Sequence, residues 1–316
     1  MLIIEIMTRL TLKLIGTAFD LLLATLPYNN KRPTRNQSSL KSQIKQSATN
    51  GWIYKEITSP FSGCTHHYLY HPCPKNNAPP FLFLHGLVFD ARNFINLHKL
   101  SDTWQLIAYD FPESSATYRG DMNDFHFLID DFLDTLKIDT LYLCGVSFGG
   151  SIATRFTAAH SRRIKTLVLA SSFVINSTTG DRIRSRELAR FLLKHPDYKL
   201  HWLIQKILTL AFKGKNNPLS SLKSMIQMKD IDWYRQVIRS ITTCEGTEDA
   251  VRINCPVLAL NGDKDRLVSL SHARSIPQFI PHAQFDIIKG ANHAMMYFQG
   301  EYLSEKIHTF CSKYLY

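Results

Sequence analysis

Acidic residues are in short supply: 26 Asp and Glu face 37 Lys and Arg over 316 residues, for a formal charge of +11. That deficit favours an anionic partner, whether a lipid surface, a nucleic acid or an acidic carrier protein, without choosing among them. Cysteine is scarce too, six in all with no regular spacing. This excludes a disulfide-built scaffold and fits reduced thiols in a cytosolic catalytic domain. A composition 45% hydrophobic and 20% charged is that of a globular chain, which excludes wholesale disorder and a multi-span membrane protein. Internal repeats are lacking, and so is any nucleic-acid-binding motif, so nucleic acid drops from the expected partners.

The charge excess is uneven. Residues 1–50 hold seven basic residues against Glu5 and Asp20, a net of +5. From Met1 to Pro27 the polar positions Glu5, Thr8, Arg9, Lys13, Gly16, Thr17 and Asp20 recur every three or four residues, which predicts an amphipathic helix. Four charges interrupt the stretch and disfavour a spanning helix. Asp20 and the lack of a small-x-small cleavage site disfavour a secretory signal. Residues 28–50 read as a polar basic linker. The expectation is that residues 1–45 hold the protein on an anionic inner membrane face with the rest in the cytoplasm. A freely soluble cytoplasmic protein, with the helix packed on protein, is the alternative.

From Gly51 onward, short β-rich runs alternate with helical stretches. Strands are predicted at 52–58, 64–71, 81–84, 104–109, 140–144, 165–170, 256–261 and 284–288, with helices at 123–137 and 149–160. The later strands are unbroken apolar runs such as Phe81-Leu82-Phe83-Leu84, as parallel strands covered on both faces require. The predicted fold class is therefore α/β, a doubly wound, mostly parallel, eight-stranded sheet. Between Phe173 and about Val251 the alternation gives way to helical, Lys/Arg-rich sequence, read as an inserted cap. The predicted organisation is residues 1–50 as helix and linker, 51–172 and 252–316 as the two parts of the core, and 173–251 as the cap.

Chemistry concentrates in Leu141-Tyr142-Leu143-Cys144-Gly145-Val146-Ser147-Phe148-Gly149-Gly150, a strand running through Gly-x-Ser-x-Gly into a helix. Glycines flank Ser147 because the chain must turn sharply there, which lifts the hydroxyl out of the sheet. The helix opening at Phe148 points backbone N–H groups at charge forming on a substrate. A serine nucleophile needs a general base oriented by an acid. Two later loops carry candidates: Gly262-Asp263-Lys264-Asp265 after one strand, and Gly290-Ala291-Asn292-His293-Ala294 after the last.

These motifs, with Phe81-Leu82-Phe83-Leu84-His85-Gly86-Leu87, resemble the α/β-hydrolase superfamily over roughly Gly51 to Tyr316. The resemblance implies Ser147 as nucleophile, His293 as base and Asp265, rather than Asp263, as acid. It implies the backbone amides of Leu87 and Phe148 as oxyanion donors, with His85 orienting its loop. The implied activity is hydrolysis of carboxylic esters without a cofactor. One departure is the stretch Phe111-Pro112-Glu113-Ser114-Ser115, where many relatives carry a glycine-rich loop. The residues expected to shape an apolar acyl pocket are Val88, Phe111, Phe173 and Met295, beside Leu87 and Phe148. The expected substrate is a small-molecule or lipid-like ester. Thioesterase, acyltransferase and carbon–carbon hydrolase activities share this fold, and a catalytically silent binding protein is the rival of another class.

Two further clusters receive other readings. Cys64, His66, His67, His71 and Cys73 fit no zinc spacing, and strand alternation sends His66 and His67 to opposite faces, so no metal is expected. Arg182, Arg184, Arg186 and Arg190 read as a solvated helix face, with docking to an acidic carrier protein as the alternative.

Overall fold

The computed structural model describes residues 50–87, 89–112, 122–174, 237 and 246–315, all in the unit Ser42–Tyr316. The expected N-terminal helix and linker, Val88 and nearly all of the expected cap lie outside the described residues. Eight strands form one sheet: β1 Ile53–Thr58, β2 Thr65–His71, β3 Pro80–Leu84, β4 Gln105–Asp110, β5 Leu141–Val146, β6 Ile164–Ala170, β7 Val257–Gly262 and β8 Gln284–Ile288. Their spatial order is β1-β2-β4-β3-β5-β6-β7-β8. Every predicted strand is present with bounds within two residues of the expectation. Only β2 runs against its neighbours, antiparallel to both β1 and β4, while the other pairings are parallel.

The unbroken apolar runs exist because both faces are covered. On one face Leu82, Leu84, Leu143, Leu167 and Leu169 pack with Phe125, Ile129, Phe132, Ile152 and Phe156 of helices α1 (Met122–Thr135) and α2 (Phe148–Ala159). On the other, Phe81 stacks on Phe83 at 4.7 Å and meets Trp104 and Tyr142 edge-on or tilted. A 3-10 segment, Ala91–Asp102, and helix α3 (Gly300–Cys311) close that side. All-apolar strands buried this way supply most of the drive for folding, roughly 25 cal/mol per Å² removed from water.

Parallel strands share one carboxyl edge, and the loops leaving it carry the chemistry-bearing residues. Ligands of open α/β sheets bind at that edge. His85, Ser147, Asp265 and His293 all stand there, in the loops after β3, β5, β7 and β8.

Candidate active site

Ser147 sits one residue past β5 with φ 53° and ψ −116°, a backbone conformation that L-residues rarely adopt. Its surroundings hold it there. The Ser147 N–H donates to the Ala170 carbonyl at 3.0 Å, and its own carbonyl accepts from Gly150 N at 2.9 Å and from the Ser172 hydroxyl at 3.1 Å. The flanking glycines are required by contact. A Cβ at Gly145 would press into the Gly149 carbonyl, and one at Gly149 into the carbonyls of Leu84 and His85. Because α2 begins at Phe148, the N–H groups of Phe148 and Gly149 have no intrahelical acceptor.

The loop after β3 approaches closely, since a Cβ at Gly86 would lie 3.6 Å from the Ser147 Cβ. The Gly86 carbonyl accepts from His85 Nδ1 at 2.8 Å and from Phe89 N at 3.2 Å. That carbonyl and the Leu87 N–H belong to one planar trans peptide, so fixing the first aims the second the opposite way. His85 Nε2 in turn accepts from Phe111 N at 3.2 Å. His85 is therefore a buried strut between the two loops that follow β3 and β4, its Nε2 also 3.2 Å from Asp110 Oδ1. Behind the loop, Arg92 grips Asp90 in a buried ion pair at 2.6 Å, and Asp90 caps the 3-10 segment through Arg92 N.

The acid and histidine loops lock onto each other. A Cβ at Gly262 would strike the Ala291 carbonyl, which accepts from Lys264 N at 2.9 Å. Asn261 Nδ2 ties the loop after β7 shut through the Val268 carbonyl at 3.1 Å. Within this frame His293 Nδ1 meets Asp265 Oδ2 at 2.9 Å, and Asp265 Oδ1 accepts from the N–H groups of Leu267 and Val268, each at 2.9 Å. Burial pushes the Asp265 carboxyl up, but the His293 bond and charge and the two backbone donors outweigh it and hold the pKa below the ordinary value. Asp263 faces elsewhere, accepting from Gly290 N at 2.6 Å.

Of the expected pocket residues, Phe111 is buried between the two loops, its ring 4.7 Å from His85 and 6.2 Å from Phe148. Met295 is buried at the start of the turn after His293. Phe173 is half-buried with its ring 6.2 Å from His272, and Leu87 packs against the core. Val88 lies outside the described residues. Ser172, Asn261 and the Asp90–Arg92 pair escaped the sequence reading. The serine pair closing the apolar run of β6 was the one local signal for Ser172.

Among the described residues, no three His, Cys, Asp or Glu side chains gather as metal ligands. His66 is buried against Tyr109 and Asp131, whereas His67 bonds Tyr54 on the other face.

Residues 79–299 match the family model of the alpha/beta hydrolase fold. The chain belongs to this family. Similar proteins include the carboxylesterase YbfK of Bacillus subtilis, 23% identical over 75% of this chain and 81% of that one. The dihydrolipoyllysine-residue acetyltransferase component of the acetoin cleaving system of Pseudomonas putida is 23% identical over 74% of this chain. The chain spans 64% of that protein's length, and 62% to 64% of two further curated relatives. Among solved structures, the enol-lactonase of Burkholderia xenovorans LB400 superposes with a TM-score of 0.70 at 19% identity, over 82% of this chain and all of that one.

Proposed function

We propose that the chain is a serine hydrolase of carboxylic esters with an apolar acyl group. The observation that carries the reading is the buried 2.9 Å bond between His293 Nδ1 and Asp265, on the same sheet edge as the left-handed Ser147. With Nδ1 donating to the carboxylate, His293 Nε2 is the basic nitrogen and can take the Ser147 proton. The Ser147 oxygen bonds to the ester carbonyl carbon, and the carbonyl oxygen becomes an anion stabilised by the N–H groups of Leu87 and Phe148. Collapse expels the alcohol, which leaves with the proton from His293. Water then repeats the sequence on the acyl-enzyme, releasing the acid and restoring Ser147. The buried Phe111, Phe148 and Met295 beside these loops favour an apolar acyl chain.

The same reading places the catalytic part in the cytoplasm, held at an anionic membrane face by residues 1–45. Supporting it are the basic linker and the five described cysteines, none of which is in a disulfide. Among the described residues no helix is long and apolar enough to cross a membrane.

Fluorophosphonate labelling tests the chemistry. Wild type should incorporate one equivalent and Ser147→Ala none, and equal labelling of both would end the serine-nucleophile reading.

A further inference from the structure

The two most exposed large hydrophobic side chains among the described residues are Phe61, 74% exposed, and Phe127, 68% exposed. Both stand at the catalytic edge of the sheet. β1 and β4 are each antiparallel to β2, so β1 runs with the parallel strands and its turn into β2, residues 59–64, lies at their carboxyl edge. Phe127 is in the opening turns of α1, two residues after Phe125, whose ring is 5.0 Å from that of Phe148 beside Ser147.

Neither ring is a loose loop tip. Ser59 Oγ accepts from the Phe61 and Ser62 N–H groups at 3.1 and 3.2 Å. The hydroxyls of Ser59 and Ser62 both donate to Asp131, each at 2.6 Å. Asp131 also meets buried His66 Nε2 at 2.9 Å, and His66 Nδ1 meets the Tyr109 hydroxyl at 2.9 Å. Asp131 is one helical turn beyond Phe127, so a single hydrogen-bonded pedestal supports both rings.

We infer that Phe61 and Phe127 insert into an anionic lipid surface and set the catalytic edge against it. This rests on the reading of Ser147 as the nucleophile for an apolar ester and names where that ester is met: within a lipid layer. Two spaced rings suit a fluid layer, which needs no shape complementarity. A stable protein interface would need a contiguous patch of about 800 Å² on each partner. Charge favours an anionic layer. The described residues carry 16 basic and 16 acidic side chains, so the chain's entire +11 lies outside them. Of the four acidic side chains on α1 flanking Phe127, Asp130 and Asp134 pair with Arg163, Asp131 bonds the pedestal, and Asp124 is engaged as well.

The test uses the full chain with phosphatidylcholine–phosphatidylglycerol vesicles whose acyl chains carry bromine, a contact quencher of tryptophan. Phe61→Trp should show quenching above wild type, while Ile53→Trp, exposed at the opposite end of β1, should not. Phe61→Ser with Phe127→Ser should lower vesicle partitioning by about tenfold per ring while leaving hydrolysis of a soluble short-chain ester unchanged. Unquenched Phe61→Trp, or wild-type partitioning of the double variant, would overturn the inference. So would a change in lipid-free self-association of the double variant, which would make the patch a protein contact. Absence of ester hydrolysis in wild type would sink the catalytic reading alone, because quenching reports docking independently.

Discussion

Replacing Asp265 by Asn separates the two candidate acids. Asp265 Oδ1 holds two backbone N–H groups at 2.9 Å, and Oδ2 holds only His293 Nδ1. An asparagine keeps its oxygen where two donors need it, because turning the amide over would forfeit both backbone bonds, each worth about 0.5–1.5 kcal/mol. The new NH₂ then faces His293 Nδ1, which must accept instead of donate. The imidazole proton moves to Nε2, where it blocks uptake of the Ser147 proton, and kcat should fall by roughly 10⁴. Asp263→Asn keeps the oxygen that accepts from Gly290 N and should change kcat by no more than about threefold. Steady-state hydrolysis of a soluble activated ester, with thermal melting to verify folding, measures both. Comparable losses, or a larger loss at Asp263, would refute the assignment.

Two other expectations follow from packing and burial. A Cβ at Gly150 would meet Ser172, so Gly150→Ala should destabilise the wild type more than a Ser172→Gly background, and additive melting shifts would show that the contact is not the cause. Burial lowers the pKa of His66, and burial followed by the neighbouring His160 lowers that of His126. The unfolded chain therefore takes up these protons first: the stability they contribute is complete above about pH 6.5 and drains away as pH falls through the lower folded values. The melting temperature should drop from pH 7 toward 5, less steeply in a His66→Gln, His126→Gln variant; equal slopes would refute the linkage.

Where a local pattern carried the information, the sequence was read correctly. The unbroken apolar runs marked parallel strands because helices cover both faces. The glycines around Ser147 marked the turn because no Cβ fits beside the Gly149 and Leu84 carbonyls. Alternation separated His66 from His67 for the same kind of reason. What stayed hidden depends on partners far along the chain. Asp131 is 65 residues from His66 and 72 from Ser59, and no periodicity announces that they meet. The Asp90–Arg92 ion pair is close in sequence, but its burial depends on tertiary packing that no local pattern announces. Ser172 acts through the Ser147 carbonyl 25 residues away, a contact set by the pairing of β5 with β6.

The order of the loops along the chain also governs assembly. Leu167–Ala170 of β6 finds its partner, Val257–Leu260 of β7, only after 86 intervening residues. At ordinary synthesis rates that is about 4–17 s during which an apolar strand edge lacks its neighbour. Over the same interval the serine loop has neither the acid nor the histidine, both of which arrive in the last fifth of the chain. On the proposed triad, a nascent chain is therefore chemically silent while it is most prone to aggregate. Cutting the chain between β6 and β7 should yield two inert fragments whose reunion switches hydrolysis on.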